Sequence, residues 1–298
     1  MLDVKLKTLL AVHEEMSFTK AAAKLALTQP AVSNHINLLE SQLDCRLCRR
    51  EKGKLIFTPE GETAVKYAKR FEVMYENLCA EIREEHRAPR HIRIGVTRAA
   101  ESDPIVVHAI GQYISSHSHI MVTMIANDVT KLYDMLENYE LDIVIADKKP
   151  AGDHFGFRLL DRDNLVCIAC KTNPITAKNS ITLEELKKER MIMRSSSSNI
   201  RMLFESTLES INESLDSFNV ILEVDSANAI KLLVRKGVGV SIMPEKSCHH
   251  DLNHSKYVTI PIENLNIIRE LNMIFREDFV YTDILDELCQ IYSEIVYD

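Results

Sequence analysis

The sequence predicts an α/β chain in three parts: a small helical head closed by a β-hairpin, a long linker helix, and a two-lobed body of alternating strands and helices. Three observations predict it. Polar and basic residues gather in the first 58 positions, an apolar seam with no breaker after Gly61 follows, and short β-branched runs then alternate with helical stretches. A length of 298 residues suits two or three domains. Composition, 46% hydrophobic and 27% charged with 8 Gly and 8 Pro, excludes a disordered or fibrous chain.

The net charge of -8 hides an asymmetry. Residues 1–58 hold nine Lys/Arg against six Asp/Glu, whereas the remainder holds 27 against 38. A basic head on an acidic body permits a polyphosphate partner at one end. The N-terminus lacks the apolar core of a secretory signal, and no run of about 18 uncharged apolar residues occurs. The seven cysteines lack framework spacing and read as reduced thiols. A cytoplasmic protein with no membrane partner is expected.

In the head, Leu6, Leu9, Leu10 and Met16 keep a helical period that predicts a first helix over residues 3–16. Thr19 is the expected cap of a second helix, Lys20 to Ala26, whose three consecutive alanines let a neighbour pack closely. Thr28 is placed to cap a third helix with Gln29 and Pro30 in its first turn, where the missing proline N–H costs nothing. Val32, Ile36, Leu39 and Leu43 form the expected buried stripe of this third helix. Gln29, Pro30, Ser33, Asn34 and Asn37 face the other way, with His35 at the flank. Amides and hydroxyls pair with base edges in a major groove, and no carboxylate lies on that face before Glu40 to repel phosphate. An ordinary solvated face is the alternative, although such faces usually carry Glu and Lys. Arg46, Arg49, Arg50, Lys52 and Lys54 then cluster before and within Glu51 to Thr58, a hairpin turning at Lys52-Gly53 and placed to touch a DNA backbone.

Several runs here resemble the winged helix-turn-helix of LysR-type regulators. They are Ser17-Phe18-Thr19-Lys20-Ala21-Ala22, then Leu27-Thr28-Gln29-Pro30-Ala31-Val32-Ser33, then Leu39-Glu40 with Leu43, Arg46-Leu47, and Phe57-Thr58-Pro59-Glu60-Gly61. Cys48 departs from the pattern, standing where the family usually has phenylalanine. In the family, positions matching Gln29, Pro30, Ser33 and His35 or Asn37 face DNA. The candidate DNA contacts are therefore Thr28, Gln29, Pro30, Ser33, Asn34, His35, Asn37, Arg49, Arg50, Lys52 and Lys54. The resemblance implies a transcriptional regulator and not an enzyme, with no cofactor. Its implied partners are double-stranded DNA, its own copies as a homodimer or homotetramer, RNA polymerase and a small-molecule effector.

From Pro59 to about Arg87, Ala64, Ala68, Phe71, Tyr75, Leu78 and Ile82 keep a 3.5-residue seam. A helix pairing lengthwise with a second copy would carry such a seam, and so would a helix lying on its own domain. Domain boundaries are expected at 1–58 for the head, 59–88 for the linker helix and 91–298 for the body. Pro89 marks the last of these boundaries.

In the body, Ile92 to Val96, a helix over 104–117, Ile120 to Ile125, a helix over 129–139 and Leu141 to Ala146 form one alternating set. Asn164 to Ala169, Met191 to Met193, Asn219 to Val224 and Val240 to Pro244 form a second. Leu271 to Phe275 and the final helix to Val296 are expected to return to the first. Such alternation predicts parallel sheet covered on both faces. Lobe 1 is expected over about 91–161 and 267–298, and lobe 2 over about 162–266. Ile92-Arg93-Ile94-Gly95, Glu140-Leu141-Asp142-Ile143 and Leu233 to Val240 ahead of Met243-Pro244 resemble the LysR-type effector domain. That domain is itself similar to periplasmic solute-binding proteins.

Ligands bind at strand ends between such lobes. Thr97 and Arg98, Asn127 and Asp128, and the run Ser195, Ser196, Ser197, Ser198 are the candidate effector contacts. Hydroxyls, a guanidinium and a helix N-terminus suit an anion, although a capped loop with no ligand has the same sequence. The pairs Cys45/Cys48 and Cys167/Cys170, and Cys248-His249-His250 with His254, leave a thiol- or metal-responsive regulator as an alternative. A solute-binding or enzymatic module is a further one. No nucleophile elbow, phosphate loop or zinc-protease motif occurs, so no catalytic or metal residue is assigned.

Overall fold

Asp3, Ser17 and Thr28 each accept a hydrogen bond from a backbone N–H two or three residues on. These caps start α1 (Val4–Glu15), α2 (Phe18–Lys24) and α3 (Gln29–Leu43). The computed structural model describes residues 3–51, 53–82, 91–150, 155–248 and 257–297. The cap of α2 is thus Ser17 and not Thr19, which lies inside the first turn. The helix also stops before Ala26, whose backbone is left-handed at φ 54°. The strands β1 (Cys48–Glu51) and β2 (Lys54–Phe57) pair antiparallel, with Gly53 at φ 80° in the turn. Lys52 and Pro89 lie outside the described residues, as do His249, His250 and His254.

The chain divides into two compact units, residues 1–87 and 88–298. In the first, Leu9, Val12, Ala21, Val32, Ile36, Leu39 and Leu47 form a core that also takes in Val65 and Ala68 of α4 (Pro59–Ile82). Leu43 departs from the expected buried stripe and is 52% exposed. It ends α3, where Asp44 turns the chain at φ 49° and carries that last turn past the core. The first positions of the α4 seam, Ala64 and Ala68, therefore belong to the head. Phe71, Tyr75, Leu78 and Ile82 further along remain exposed.

Gly61 shows how tightly α4 is seated. A Cβ there would lie 1.9 Å from the Leu47 carbonyl oxygen, and that carbonyl already accepts the Thr58 N–H. Only a glycine allows the helix start and the strand to approach this closely.

In the second unit β3 (His91–Thr97) is flanked in parallel by β4 (Met121–Asn127) and β5 (Ile143–Ala146). The helix α5 (Arg98–Glu101) follows β3, α6 (Pro104–Ser116) covers one face with the C-terminal helix Thr282–Tyr297, and α7 (Val129–Glu137) covers the other. The sheet is not wholly parallel. The expected strand Asn164 to Ala169 is the end of a longer one, β6 (Phe155–Cys170), which runs antiparallel through both lobes. Its first part pairs with the returning strand Ile268–Arg276, which in turn lies antiparallel to β5. From Leu165 onward β6 pairs with the lobe 2 strands Ser241–Pro244 and Tyr257–Ile260. Lobe 2 is completed by β7 (Arg190–Met193) and β8 (Asn219–Glu223), parallel to each other, with the helices α8 (Leu183–Leu186), α9 (Asn199–Ser210) and Ala227–Arg235. The lobes thus join where β6 crosses at Asn164 and the chain returns at Ile267, whose carbonyl accepts the Leu165 N–H at 2.9 Å.

Gly61→Ala tests the seating of α4. Helix propensity alone favours alanine by roughly 1 kcal/mol. The clash with Leu47 should instead lower stability by about 2 kcal/mol or more, read as the unfolding midpoint of the head. A gain in stability would show that α4 shifts freely.

Candidate functional site

On the head, Thr28, Gln29, Pro30, Asn34 and Asn37 are exposed and Ser33 is half-buried. Gln29, Ser33 and Asn37 of α3 line one shallow groove of about 240 Å3 with Arg49 and Arg50 of the hairpin and Arg46 just before it. Amides and hydroxyls on its floor and guanidiniums on its wall match the two tasks of DNA binding, base reading and phosphate contact. His35 departs from the expected reading face. Its Nδ1 lies 2.9 Å from the Thr8 hydroxyl, which itself donates to the Val4 carbonyl, so the half-buried ring braces α3 against α1.

Glu40 holds the groove together. Its carboxylate is 8% exposed, accepts the Leu47 N–H at 2.8 Å and the Cys48 N–H at 3.4 Å, and pairs with Arg46 at 2.7 Å. The acid that ends the polar face is therefore a tie between reading helix and hairpin. Arg49 pairs with Glu51 at 2.7 Å, while Arg50 and Lys54 are exposed.

In the body, polar residues converge at the carboxyl ends of five strands, facing one another across the cleft between the lobes. Thr97 and Arg98 follow from β3, Asn127 and Asp128 from β4, Asp147 from β5, Arg194 from β7 and Asp225 from β8. Together with Ser197, Ser198 and Asn199 they line a cavity of about 40 Å3. Thr97 is buried and accepts the Ala100 N–H as the cap of α5. The Arg98 guanidinium pairs with Asp225 of the other lobe and approaches Asp128 at 3.6 Å. Ser195 donates to Asp225 at 2.9 Å from beside the cavity. Ser196 is exposed and absent from the lining, because the serine run turns there before Ser198 enters α9.

Sequence reasoning missed Arg194, Asn199, Asp147 and Asp225. Three of these directly follow a strand or lie one residue beyond it, the same signal that identified Arg98 and Asp128. Arg194 is the most telling omission. Its side chain is 5% exposed, and Nε and Nη1 have no hydrogen-bond partner among the described residues. Burial lowers its pKa, opposed by Asp225 and Asp147.

Below the cleft lies a buried ion cluster. Arg269 approaches Asp103 at 3.4 Å and Asp147 at 3.8 Å, all three side chains being 2% exposed. Asp103 also caps α6 and accepts the Ser247 hydroxyl of lobe 2 at 2.8 Å. The Asn199 side-chain amide donates to the Asp147 carbonyl across the cleft at 2.9 Å. Asp163, at the β6 crossing, accepts the Lys246 N–H, yet burial pushes its carboxyl up to about 6.

Two family models match the chain. The bacterial regulatory helix-turn-helix protein, lysR family, matches residues 4–62, and the LysR substrate binding domain matches residues 86–291. The chain belongs to the LysR family of transcriptional regulators. Among relatives of this LysR-family regulator, an uncharacterized HTH-type transcriptional regulator of Methanocaldococcus jannaschii is 25% identical over 90% of both chains. The HTH-type transcriptional activator CmpR of Synechocystis is 27% identical over 78% of this chain and 75% of its own. Two solved structures share the fold. A full-length OxyR variant from Pseudomonas aeruginosa has a TM-score of 0.76 at 19% identity, covering 98% of this chain and 94% of its own. The regulatory domain of Synechocystis CcmR in complex with 2-PG has a TM-score of 0.60 at 20% identity, covering 69% and 98%.

Burial raises the pKa of Cys48, Cys167 (to about 12) and Cys289, the wrong direction for reactive thiolates. Among the described residues no cluster of His, Cys, Asp and Glu suits a metal ion. Among the same residues no helix is long and apolar enough to cross a membrane.

Asp163 generates a pH prediction. A folded pKa raised to about 6 disfavours the charged form in the native state. Stability is therefore fullest below the unfolded pKa of about 4 and falls as pH rises toward 6. Asp163→Asn should gain on the parent by about 1–3 kcal/mol between pH 4 and 6, with a constant difference above. Parallel unfolding curves at pH 4.5 and 7 measure this, and an unchanged difference would contradict it.

Proposed function

We propose that this LysR-family regulator reads DNA with the outer face of α3 and answers to a small effector whose anionic group is held in the interlobe cleft. The groove that gathers Gln29, Ser33 and Asn37 with the hairpin arginines carries the DNA half of this reading. Arg194 supports the effector half, since a buried guanidinium with unused N–H groups beside a helix N-terminus favours an oxyanion. A ligand touching both lobes biases their arrangement only by binding one arrangement more tightly. The protein works in the cytoplasm, where bound copies meet RNA polymerase. The candidate reading residues are Thr28, Gln29, Pro30, Ser33, Asn34 and Asn37, with Arg49, Arg50 and Lys54 on the backbone.

Dimerisation belongs to the same proposal. Phe71, Tyr75, Leu78 and Ile82 lie along one seam of α4 and are exposed, and a second copy of that seam would cover them. Two heads held in this way meet paired half-sites.

Ser33→Glu and Asn37→Glu place a carboxylate beside base edges and phosphate. In gel shifts at fixed salt both should lose specific binding, by roughly tenfold or more, with unchanged circular dichroism. Full affinity in both would refute the assigned face. Phe71→Asp and Leu78→Asp should dissociate the dimer in light scattering, because an unpaired charge in an apolar seam is costly. A parent protein that is monomeric at micromolar concentration would refute the seam's role.

A further inference from the structure

The cleft holds more negative than positive charge. Arg98 and Arg194, with Arg269 beneath them, stand against Asp128, Asp147 and Asp225, with Asp103 beneath, and Arg98 is already engaged by two of these carboxylates. Arg194 is not engaged in that way: its approach to Asp225 is 3.9 Å, and Nε and Nη1 have no hydrogen-bond partner among the described residues. The Ser198 hydroxyl, at the start of α9, is buried and likewise without one. On the facing lobe, Asp147 has a buried oxygen, Oδ2, that accepts no hydrogen bond among the described residues and lies 3.8 Å from Arg269. Donors without acceptors among the described residues thus share one cavity with a carboxylate held only loosely by its own arginine.

A plain anion answers half of this arrangement. It satisfies Arg194 but adds negative charge beside three aspartates, and like charges brought together in a desolvated site repel strongly. A plain amine answers only the other half. We propose that the effector is a small zwitterion, an α-amino acid. Its carboxylate takes Arg194, the Ser198 hydroxyl and the first N–H groups of α9, and its ammonium faces Asp147 and Asp225. The proposal rests on the reading of the cleft as the effector site. It adds a second charge to the ligand and explains why the cleft is lined with an excess of carboxylates.

The test is titration calorimetry on the full chain with three sets of probes: the twenty common amino acids, their 2-hydroxy acid counterparts, and their decarboxylated amines. One amino acid should bind at one per chain, with its hydroxy acid and amine at least about tenfold weaker. Arg194→Ala and Asp225→Asn should each weaken that amino acid by roughly ten- to a hundredfold. Asp225 is partly exposed, so its variant stays informative if Arg194→Ala fails to fold. A hydroxy acid that binds as tightly as its amino acid, and is weakened by Arg194→Ala, overturns the zwitterion and leaves the cleft reading standing. An amino acid indifferent to both substitutions overturns both. Binding by none of the probes overturns the zwitterion.

Discussion

Arg269 is the constraint on which the body of this regulator depends. A guanidinium 2% exposed is tolerable only with carboxylates around it, and Asp103 and Asp147 supply them from the start of α6 and the end of β5. The same two aspartates reach into lobe 2, Asp103 through the Ser247 hydroxyl and Asp147 through its carbonyl to Asn199. The cluster that neutralises the buried cation therefore also ties the lobes where β6 and its returning partner cross. Removing one carboxylate leaves a buried charge without its counterpart and loosens the crossing as well. The cleft above inherits its shape from this cluster, because Asp147 belongs to both.

The fold is legible wherever one period runs long enough. The α3 stripe, the α4 seam and the run Ile143 to Ala146 each announce their element, and Gly53 and Pro30 mark a turn and a helix start by backbone chemistry alone. The full length of β6 is not legible, although its end from Asn164 is, because its two halves face different environments. Residues 155–163 include Arg158, Asp161, Arg162 and Asp163 and carry no apolar run, whereas Leu165 to Cys170 are buried on both faces. The crossing joins these two patterns in one strand, and only tertiary pairing reveals it. Thr19 reads as a cap because two hydroxyl residues flank Phe18, and local sequence does not say which of them lies outside the helix.

The cleft is half legible for a related reason. Residues that follow a strand are visible once the strand is, and Arg98 and Asp128 are found in that way. Arg194 stands next to a serine run that draws attention to hydroxyls, and Asp147 has the look of a polar end to an apolar strand. Which side chains are satisfied depends on distances that no spacing encodes. Arg98 reads in the sequence as a free cation and in the structure is held by Asp225 and Asp128. His35 reads as a base contact and is turned toward Thr8.

The Glu40 tie has a consequence for which DNA this head accepts. Because one buried carboxylate grips the hairpin backbone at Leu47 and Cys48 from within α3, the hairpin and the helix form a caliper set to a single opening. The separation between Asn37 and Arg50, the proposed contacts to a base edge and to a phosphate, is then fixed by the protein, and the duplex must supply it. Groove width and bendability of an operator vary with sequence even at positions no side chain touches. A duplex with the right bases and the wrong width has to deform to fit, and the cost of that deformation becomes part of what the head discriminates.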